Sequence, residues 1–347
     1  MQYSKLGRSG LTVSRLCLGT MNFANATGEP ESFAVMDKAL ELGINFFDTA
    51  NVYGKPFGEG QTESLIGRWL AQGGGRRESI ILATKVFCQM GSRVHDQGLS
   101  AVTIRRACDA SLRRLQTDHI DLYQMHHVDR GIPTELERTS TPAKDYWRDL
   151  HNVDHGAGWD ELWQAIDQLI AAGKITYAGT SNFPAWEIAR GNTLAAARGS
   201  MGLVSEQSRY NLSVRMNELE INPACKALGL GVLAWSPLAG GLLAGALEKT
   251  TEGRRASIDG DEIEKYRRPL EAYETLCREF GEKPADVALA WLLANPVVTA
   301  PILGPRTMEQ FTGSFRALEI ELSEEILARL DQIWPGPGGP APEAYAW

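Results

Sequence analysis

Four side chains that could exchange protons lie at or just beyond the ends of consecutive apolar segments of the sequence. They are Asp48, Tyr53, Lys85 and His126. Successive side chains of a strand alternate between its two faces, so groups on matching faces of neighbouring parallel strands converge at one rim. The sequence therefore predicts a proton-transfer site built from these four groups.

A tyrosine beside a lysine could serve as a general acid in such a cluster. The phenol of an ordinary tyrosine has a pKa near 10, and a nearby ammonium lowers that pKa because it favours the phenolate. Asp48 could pair with Lys85, so that the cation is not left uncompensated in a buried site. Tyr53 would then donate a proton to a carbonyl oxygen that becomes an alkoxide, while a neighbouring imidazole orients the carbonyl.

Each of these residues has an ordinary structural interpretation when it is considered alone. A Lys–Asp pair is more often structural, a loop tyrosine usually anchors packing, and a histidine is commonly a satisfied core or surface residue. His126 and His127 are adjacent, and adjacent strand residues point to opposite faces, which makes them poor ligands for one metal ion. The sequence contains no H-E-x-x-H motif, and no metal site is expected. The four residues in order at successive strand ends favour the catalytic interpretation.

Composition narrows the class of protein. The chain has 347 residues, 43% hydrophobic and 22% charged, which is ordinary for a globular protein. Its net charge of −8 argues against a nucleic-acid-binding face and against attraction to anionic membranes. The polar N-terminus and the lack of an apolar run of roughly 18 residues argue against a secretory signal or a transmembrane helix. Five scattered cysteines with no C-x-x-C pair suggest reduced thiols, so we expect a cytoplasmic protein.

Eight short apolar segments alternate with helical patterns along most of the chain. No G-x-G-x-x-G motif follows the first segment, so a Rossmann-like sheet lacks its main signature. The alternation favours an α/β fold, a (β/α)₈ TIM barrel, with a β-hairpin before it in residues 3–16. The predicted strands cover residues 15–20, 45–50, 80–86, 120–125, 175–181, 203–208, 231–236 and 298–304.

Two long polar segments interrupt this rhythm. Residues 131–157 follow the fourth strand, and residues 237–268 follow the seventh. Long loops in compact domains are usually functional or disordered, and in a barrel both would rise over the C-terminal face. We predict one barrel domain over residues 1–334 and a Pro/Gly-rich tail over residues 335–347.

The motifs around these residues resemble those of the aldo-keto reductase superfamily, in particular its bacterial branch similar to potassium-channel β-subunits. They are "GINFFDTANVYG" with "GQTESLIGRWL", "ILATKV", "DHIDLYQMHH" and "GKITYAGTSNF", and the similarity extends to about residue 320. The resemblance implies a barrel with an N-terminal hairpin. It also implies that Tyr53 is the proton donor, with Lys85 lowering its pKa, Asp48 pairing with Lys85, and His126 orienting the substrate.

The resemblance further implies NADPH as the cofactor, bound in an extended form across the barrel rim. Ser181, Asn182 and Gln207 match residues that hold the nicotinamide carboxamide, and Trp235 matches the aromatic residue that stacks on the nicotinamide ring. The segment "SPLAGG" matches the pyrophosphate loop, where Gly240 permits close backbone approach.

The end of the barrel carries the residues implied for the adenosine. Arg306 and Gln310 match residues that meet the 2′-phosphate and the adenine, and a guanidinium favours NADP over NAD. Ser314 stands where the family often has Asn. The complete implied cofactor set is Gly19, Thr20, Met21, Asp48, Ser181, Asn182, Gln207, Trp235, Ser236, Pro237, Leu238, Gly240, Leu242, Gly304, Arg306 and Gln310.

The leading prediction is an NADP-dependent oxidoreductase that reduces aldehydes or ketones to alcohols. A histidine at position 126, where relatives that reduce steroid carbon–carbon double bonds carry Glu, favours carbonyl reduction. The predicted partner is a small-molecule carbonyl substrate, without nucleic acid or membrane, and assembly into a homo-oligomer is left open.

Two alternatives stay open at this point. One is a natural-product or nucleotide-sugar ketone or enone reductase, whose enlarged substrate wall would use Tyr146, Trp147, Arg148 and His151 of the segment 131–157. The other is a redox-sensing subunit that holds NADPH and acts through a partner protein.

Overall fold

The N-terminal residues form the hairpin that the sequence predicts. In this computed structural model, strand β1 (Tyr3–Lys5) pairs antiparallel with β2 (Thr12–Ser14), and Tyr3 faces Ser14 across the pair. The structure describes residues 1–54, 60–129, 156–248 and 260–338. The four aromatic and polar residues of the predicted substrate wall at 146–151 lie outside these ranges.

Eight parallel strands form a closed barrel with helices around it, which confirms the predicted (β/α)₈ architecture. The barrel follows chain order, and its last strand pairs with its first. Each strand begins and ends within two residues of its predicted limits, because short apolar runs bounded by turn residues define these limits well. The strands are β3 (Cys17–Gly19), β4 (Phe46–Asp48), β5 (Ile81–Val86), β6 (Ile120–Met125), β7 (Ile175–Ser181), β8 (Leu203–Arg209), β9 (Gly231–Trp235) and β10 (Val298–Leu303).

Helices alternate with these strands in the described part of the chain. They are α1 (Glu29–Glu41), α2 (Gln61–Leu70), α3 (Ala101–Leu115), α4 (Trp159–Ala171), α5 (Ala185–Ala197), α6 (Ile221–Leu228), α7 (Gly260–Phe280), α8 (Pro284–Ala294), α9 (Met308–Gly313) and α10 (Glu324–Ile333). Short 3₁₀ turns cover Met216–Glu218, Ala239–Gly241 and Ser314–Leu318. None of the described helices is long and apolar enough to cross a lipid bilayer.

Helix α7 begins earlier than expected. The sequence predicted a polar connection over residues 237–268, but the chain is helical from Gly260 onward. The stretch "DEIEKYRR" is rich in Glu, Lys and Arg, which are good helix formers, so charge there indicates an exposed helix and not a loop.

The polypeptide forms two compact units. One comprises Met1–Gly19, Pro30–Phe46 and Ser205–Trp347, and the other comprises Thr20–Glu29 and Phe47–Val204. In the first unit, β3 and β10 approach so closely that a Cβ atom on Gly19 would lie 2.5 Å from Ile302 Cγ2. The second unit contains all four predicted catalytic residues.

A buried polar network fixes strand β5 against the helices of its own unit. The fully buried carboxylate of Glu63 on α2 accepts a hydrogen bond of 2.6 Å from Thr84 Oγ1 and one of 2.7 Å from Arg114 Nε on α3. Because residues alternate along β5, the outward direction of Thr84 turns Lys85 toward the barrel interior.

Candidate active site

The Lys85 ammonium lies at the centre of the predicted catalytic group. It is fully buried, and it donates hydrogen bonds to Asp48 Oδ2 at 2.6 Å, to the Thr49 carbonyl at 2.9 Å and to Tyr53 OH at 3.3 Å. An ammonium has three donors, so each has an acceptor. Strands β4 and β5 bring these groups together because both end at this rim.

The charge on Lys85 is stable despite its burial. Burial by itself lowers the pKa of Lys85, but the Asp48 carboxylate and the Tyr53 oxygen outweigh it, and the pKa is raised above its ordinary value. The buried pair therefore holds a cation beside the phenol at neutral pH.

The phenol of Tyr53 responds to two opposing effects. Burial raises the pKa of Tyr53, and the Lys85 cation lowers it; burial is the larger effect, so the pKa lies above the ordinary value of 10. The sequence predicted the Lys85 effect with the correct sign but not the net direction, which depends on desolvation. Tyr53 therefore keeps its proton at neutral pH and can donate it.

The His126 imidazole lies beside Tyr53 at the end of β6. The two rings are 6.1 Å apart between centroids and meet edge to face at 78°. The backbone N–H of His126 donates to the Val86 carbonyl at 2.9 Å, which places it beside the end of β5. Burial, followed by the Lys85 and His127 charges, holds the pKa of His126 well below its usual value. The ring is therefore neutral at pH 7 and carries one N–H donor.

The position of His127 corrects the prediction that the two histidines diverge. Their rings stack with centroids 5.0 Å apart and an interplanar angle of 14°, and His127 also contacts Phe87 at 5.6 Å. The alternation rule fails here because β6 ends at Met125, before either histidine. His127 thus packs between the rings of His126 and Phe87 in this contact series, and stacks on the His126 ring.

Two residues of this cluster were not singled out from the sequence. Gln124 is fully buried on β6, pairs in register with Lys85, and donates to Asp48 Oδ1 at 3.2 Å. Cys88 Sγ lies 3.9 Å from Nδ1 of His126. Gln124 is a polar residue inside the otherwise apolar end of the strand, which could have indicated the first contact, whereas Cys88 lies beyond β5, where no periodicity applies.

The same unit contains five of the residues implied for the cofactor, Asp48 among them. Thr20 donates from Oγ1 and from its backbone N–H to the Asp48 carbonyl, at 2.9 and 3.0 Å. The side-chain amide of Asn182 donates to Ser181 Oγ at 2.9 Å and to the His126 carbonyl at 3.1 Å. Asn182 also has a left-handed φ of 60°. Met21 is exposed.

In the other unit, the loop after β9 has an unusual backbone. Positive φ angles occur at Ser236 (53°), Ala239 (48°), Gly240 (69°) and Gly241 (110°), and Asn211 Nδ2 donates to the Ser236 carbonyl at 2.9 Å. Left-handed residues next to right-handed ones turn consecutive N–H groups toward a common point, which suits an anion. This loop is the predicted pyrophosphate segment. The N–H groups of Ala239, Gly241 and Leu242 donate to carbonyls of the loop itself, whereas a Cβ atom on Gly240 would meet nothing within 4 Å, so the space for the predicted close approach at Gly240 is open.

The remaining cofactor residues of this unit have mixed surroundings. Gln207 is buried on β8 and Trp235 is partly exposed at the end of β9. Pro237 and Leu242 are buried, Leu238 is partly buried, and Gly304 is exposed at the end of β10. The close approach of Gly19 to β10 gives that glycine a packing role in the barrel.

The residues implied for the adenosine are arranged around the start of α9. The backbone N–H of Arg306 donates to Gln310 Oε1 at 3.0 Å, and Ser314 Oγ donates to the Gln310 carbonyl at 2.9 Å. The side-chain oxygen and the backbone carbonyl of Gln310 therefore both accept hydrogen bonds within the protein. The Ser314 hydroxyl is likewise used within the helix.

The fold and the arrangement of the Asp, Tyr, Lys and His side chains define a barrel oxidoreductase. The model of the aldo/keto reductase family matches residues 15–335, and the chain belongs to that family. It is 51% identical to the uncharacterized oxidoreductase YrpG of Bacillus subtilis (strain 168) over the whole length of both proteins.

More distant relatives have different descriptions. Norsolorinic acid reductase A of Aspergillus parasiticus is 32% identical, over 94% of this chain and 79% of that protein. A probable voltage-gated potassium channel β-subunit of Oryza sativa subsp. japonica is 30% identical, over 96% of each. The chain is therefore similar to a norsolorinic acid reductase and to a probable channel β-subunit, both at about one residue in three.

Proposed function

We propose that this protein is an NADPH-dependent reductase that converts aldehyde or ketone carbonyls to alcohols. The observation that carries the proposal is the hydrogen-bonded chain from Asp48 through the buried Lys85 ammonium to the Tyr53 hydroxyl. Such a chain supplies a proton donor with a fixed cation behind it, which is what reduction of a carbonyl to an alkoxide and then an alcohol requires.

Tyr53 is the general acid of the proposal. Its raised pKa keeps the phenol protonated before reaction, and loss of its proton leaves a phenolate 3.3 Å from Lys85 Nζ. The cation stabilises the phenolate at the moment when it forms, so Lys85 lowers the barrier even though burial keeps the resting pKa high. General acid catalysis of this kind contributes about 10²- to 10⁴-fold to a rate.

His126 orients the carbonyl in the proposal. A neutral imidazole can donate one hydrogen bond without carrying charge, and the low pKa of His126 keeps it neutral across the physiological range. Cys88 lies against Nδ1, so Nε2 is the nitrogen available to a substrate oxygen.

The nicotinamide cofactor, when bound, supplies the hydride, as is general in the aldo/keto reductase family. The residues proposed to hold it are the carboxamide set Ser181, Asn182 and Gln207, the ring platform Trp235, and the backbone of the loop after β9. The open space at Gly240, whose φ is 69°, supports close approach of the cofactor to the backbone there. Arg306 supports NADP over NAD, because a guanidinium matches the geometry of a phosphate.

The test is a panel of carbonyl compounds monitored by the absorbance of NADPH. Aromatic aldehydes, dicarbonyls and keto-sugars are each supplied with NADPH or NADH, and the alcohol product is quantified. The proposal predicts steady turnover of at least one class, with a lower KM for NADPH than for NADH. Absence of turnover with every class would overturn it.

Two alternatives have support from particular relatives. Similarity to a norsolorinic acid reductase favours a natural-product ketone as substrate, and similarity to a probable channel β-subunit favours a binding role through a partner protein. A pre-steady-state experiment separates them: one equivalent of NADPH oxidised without further turnover supports the binding role. Location in the cytoplasm and a single domain over residues 1–334 remain predictions from the sequence, and assembly into a homo-oligomer stays open.

A further inference from the structure

The carboxyl end of β8 carries an arginine that the proposed catalytic and cofactor sets do not use. Arg209 is exposed, although the six residues before it in the strand are buried. Its guanidinium carbon lies 5.9 Å from the centroid of the Trp235 ring. Among the residues that the structure describes, no carboxylate forms an ion pair with Arg209.

The strand register settles which face carries Arg209. Strands β8 and β9 pair Gln207 with Leu233 and Arg209 with Trp235, with no break in register. Alternate residues point to the same side of a strand, so Arg209 shares a face with Gln207. Paired residues of parallel strands also share a face, which puts Trp235 there as well.

The opposite face of β8 carries Glu206 and Ser208. Ser208 Oγ donates to Glu206 Oε1 at 2.6 Å, and both residues are buried. Arg209 therefore lies on the other face, the one that it shares with Gln207 and Trp235. Arg209 stands two residues, or about 6.6 Å of strand, beyond Gln207 toward the open end.

We propose that Arg209 binds a carboxylate carried by the carbonyl substrate, so the preferred substrates are aldehydo or keto acids. This inference rests on the proposed function, in which Gln207 and Trp235 hold the nicotinamide and the reacting carbonyl must lie against that ring. A planar guanidinium forms two parallel hydrogen bonds with a carboxylate. Stacking against an indole ring restrains the guanidinium, so less freedom is lost on binding.

The separation along the strand guides the choice of probe. Because Arg209 lies about 6.6 Å further along the strand than the carboxamide-binding residue, the carboxylate should be separated from the carbonyl by several bonds. A benzene ring with the two groups opposite each other provides about this separation. The probe is therefore 4-carboxybenzaldehyde, and its neutral counterpart of the same shape is 4-formylbenzamide.

The experiment compares kcat and KM for both probes in wild type, Arg209→Gln and Arg209→Glu. Arg190→Ala is the control, because Arg190 is an exposed arginine on α5. For Arg209→Gln, kcat/KM for the carboxylate should fall about 10- to 100-fold, the range of a charge-assisted hydrogen bond. The loss should appear in KM, and kcat/KM for the amide probe should change by less than about twofold. Arg209→Glu should weaken the carboxylate further through repulsion, and high salt should raise its KM in the wild type.

Other outcomes overturn the inference. Equal losses for the two probes, together with a weaker Kd for NADPH, would assign Arg209 to the cofactor. No change for either probe would show that Arg209 contacts neither. If the wild type reduces both probes with the same kcat/KM, the inference about Arg209 fails while the proposed reductase function stands. If the wild type reduces no carbonyl compound of the wider panel, both the inference and the proposed function fail.

Discussion

At the scale of single residues, the site depends on how burial and charge oppose each other at Tyr53. Burial alone would make the phenol a weaker acid, and the Lys85 ammonium acts in the opposite sense. Lys85 in turn keeps its proton because Asp48 is 2.6 Å away. Gln124 donates to the other oxygen of that carboxylate at 3.2 Å. The aspartate is thus fixed from two sides, and its role is to maintain the cation that Tyr53 needs.

Replacing Tyr53 by Phe should remove the proton donor and little else. We expect kcat to fall by about 10²- to 10⁴-fold, while the Kd of NADPH from a fluorescence titration stays within about twofold of wild type. Tyr3→Phe is the control, since Tyr3 is an exposed tyrosine whose hydroxyl donates to the Gly43 carbonyl at 2.8 Å. Near-wild-type turnover in Tyr53→Phe would exclude Tyr53 as the general acid.

Replacing Lys85 by Met should leave the Asp48 carboxylate buried without its cation. Breaking a buried pair in this way costs about 3–5 kcal/mol of unfolding free energy, measurable by urea denaturation. The double variant Lys85→Met/Asp48→Asn should recover much of that free energy, because no charge is left buried, but it should not recover activity. If the double variant is no more stable than the single one, the pair does not govern stability here.

The low pKa of His126 makes stability depend on pH. In the unfolded chain His126 binds a proton near pH 6.5, whereas in the folded protein it does so only at a lower pH because its pKa is lowered. The unfolding free energy should therefore fall as the pH drops below about 6.5. The limit is about 1.4 kcal/mol per pH unit from this residue. Unfolding of wild type and His126→Gln at pH 7.5 and 5.5 should show a smaller loss in the variant. The same loss in both would contradict a neutral His126; exposed His95→Gln is the control.

At the scale of elements, helices α2 and α3 pack through a glycine. A Cβ atom on Gly67 would collide with the backbone carbonyl of Arg114. These two helices also share the buried Glu63 network that orients β5. Close helix packing and the direction of the Lys85 side chain therefore depend on the same interface.

Gly67→Ala should destabilise the protein even though alanine is the better helix former. Propensity alone would add about 1 kcal/mol of stability, but the collision involves backbone, which cannot rotate away, and overpacking costs about 1–3 kcal/mol. Gly260→Ala is the matched control, because Gly260 begins α7 and a Cβ there would meet nothing within 4 Å. A lower urea midpoint for Gly67→Ala only is the expected result. Equal midpoints would show that the interface can adjust.

At the scale of the whole chain, the periodic pattern of apolar residues correctly predicted the regular elements of the fold. The eight strands and the hairpin follow from apolar runs and turn residues, and strand ends placed Asp48, Lys85 and His126 at one rim. The predictions that failed concern residues beyond the end of a strand or a property that depends on burial. The stacking of His127 follows the end of β6 at Met125, and the net pKa shift of Tyr53 depends on desolvation, which no sequence pattern measures.

Cofactor preference should also appear in the stability of the whole chain. A ligand that binds only the folded state stabilises it by about 2.7 kcal/mol at one hundred times its Kd, so NADPH should raise the Tm more than NADH does at equal concentration. If Arg306 binds the 2′-phosphate, Arg306→Ala should make the two shifts equal by reducing that of NADPH, while Arg190→Ala keeps the difference. Calorimetry of the three proteins with each cofactor measures this. If Arg306→Ala reduces the rise in Tm for both cofactors, Arg306 instead contacts a group that NADH and NADPH have in common.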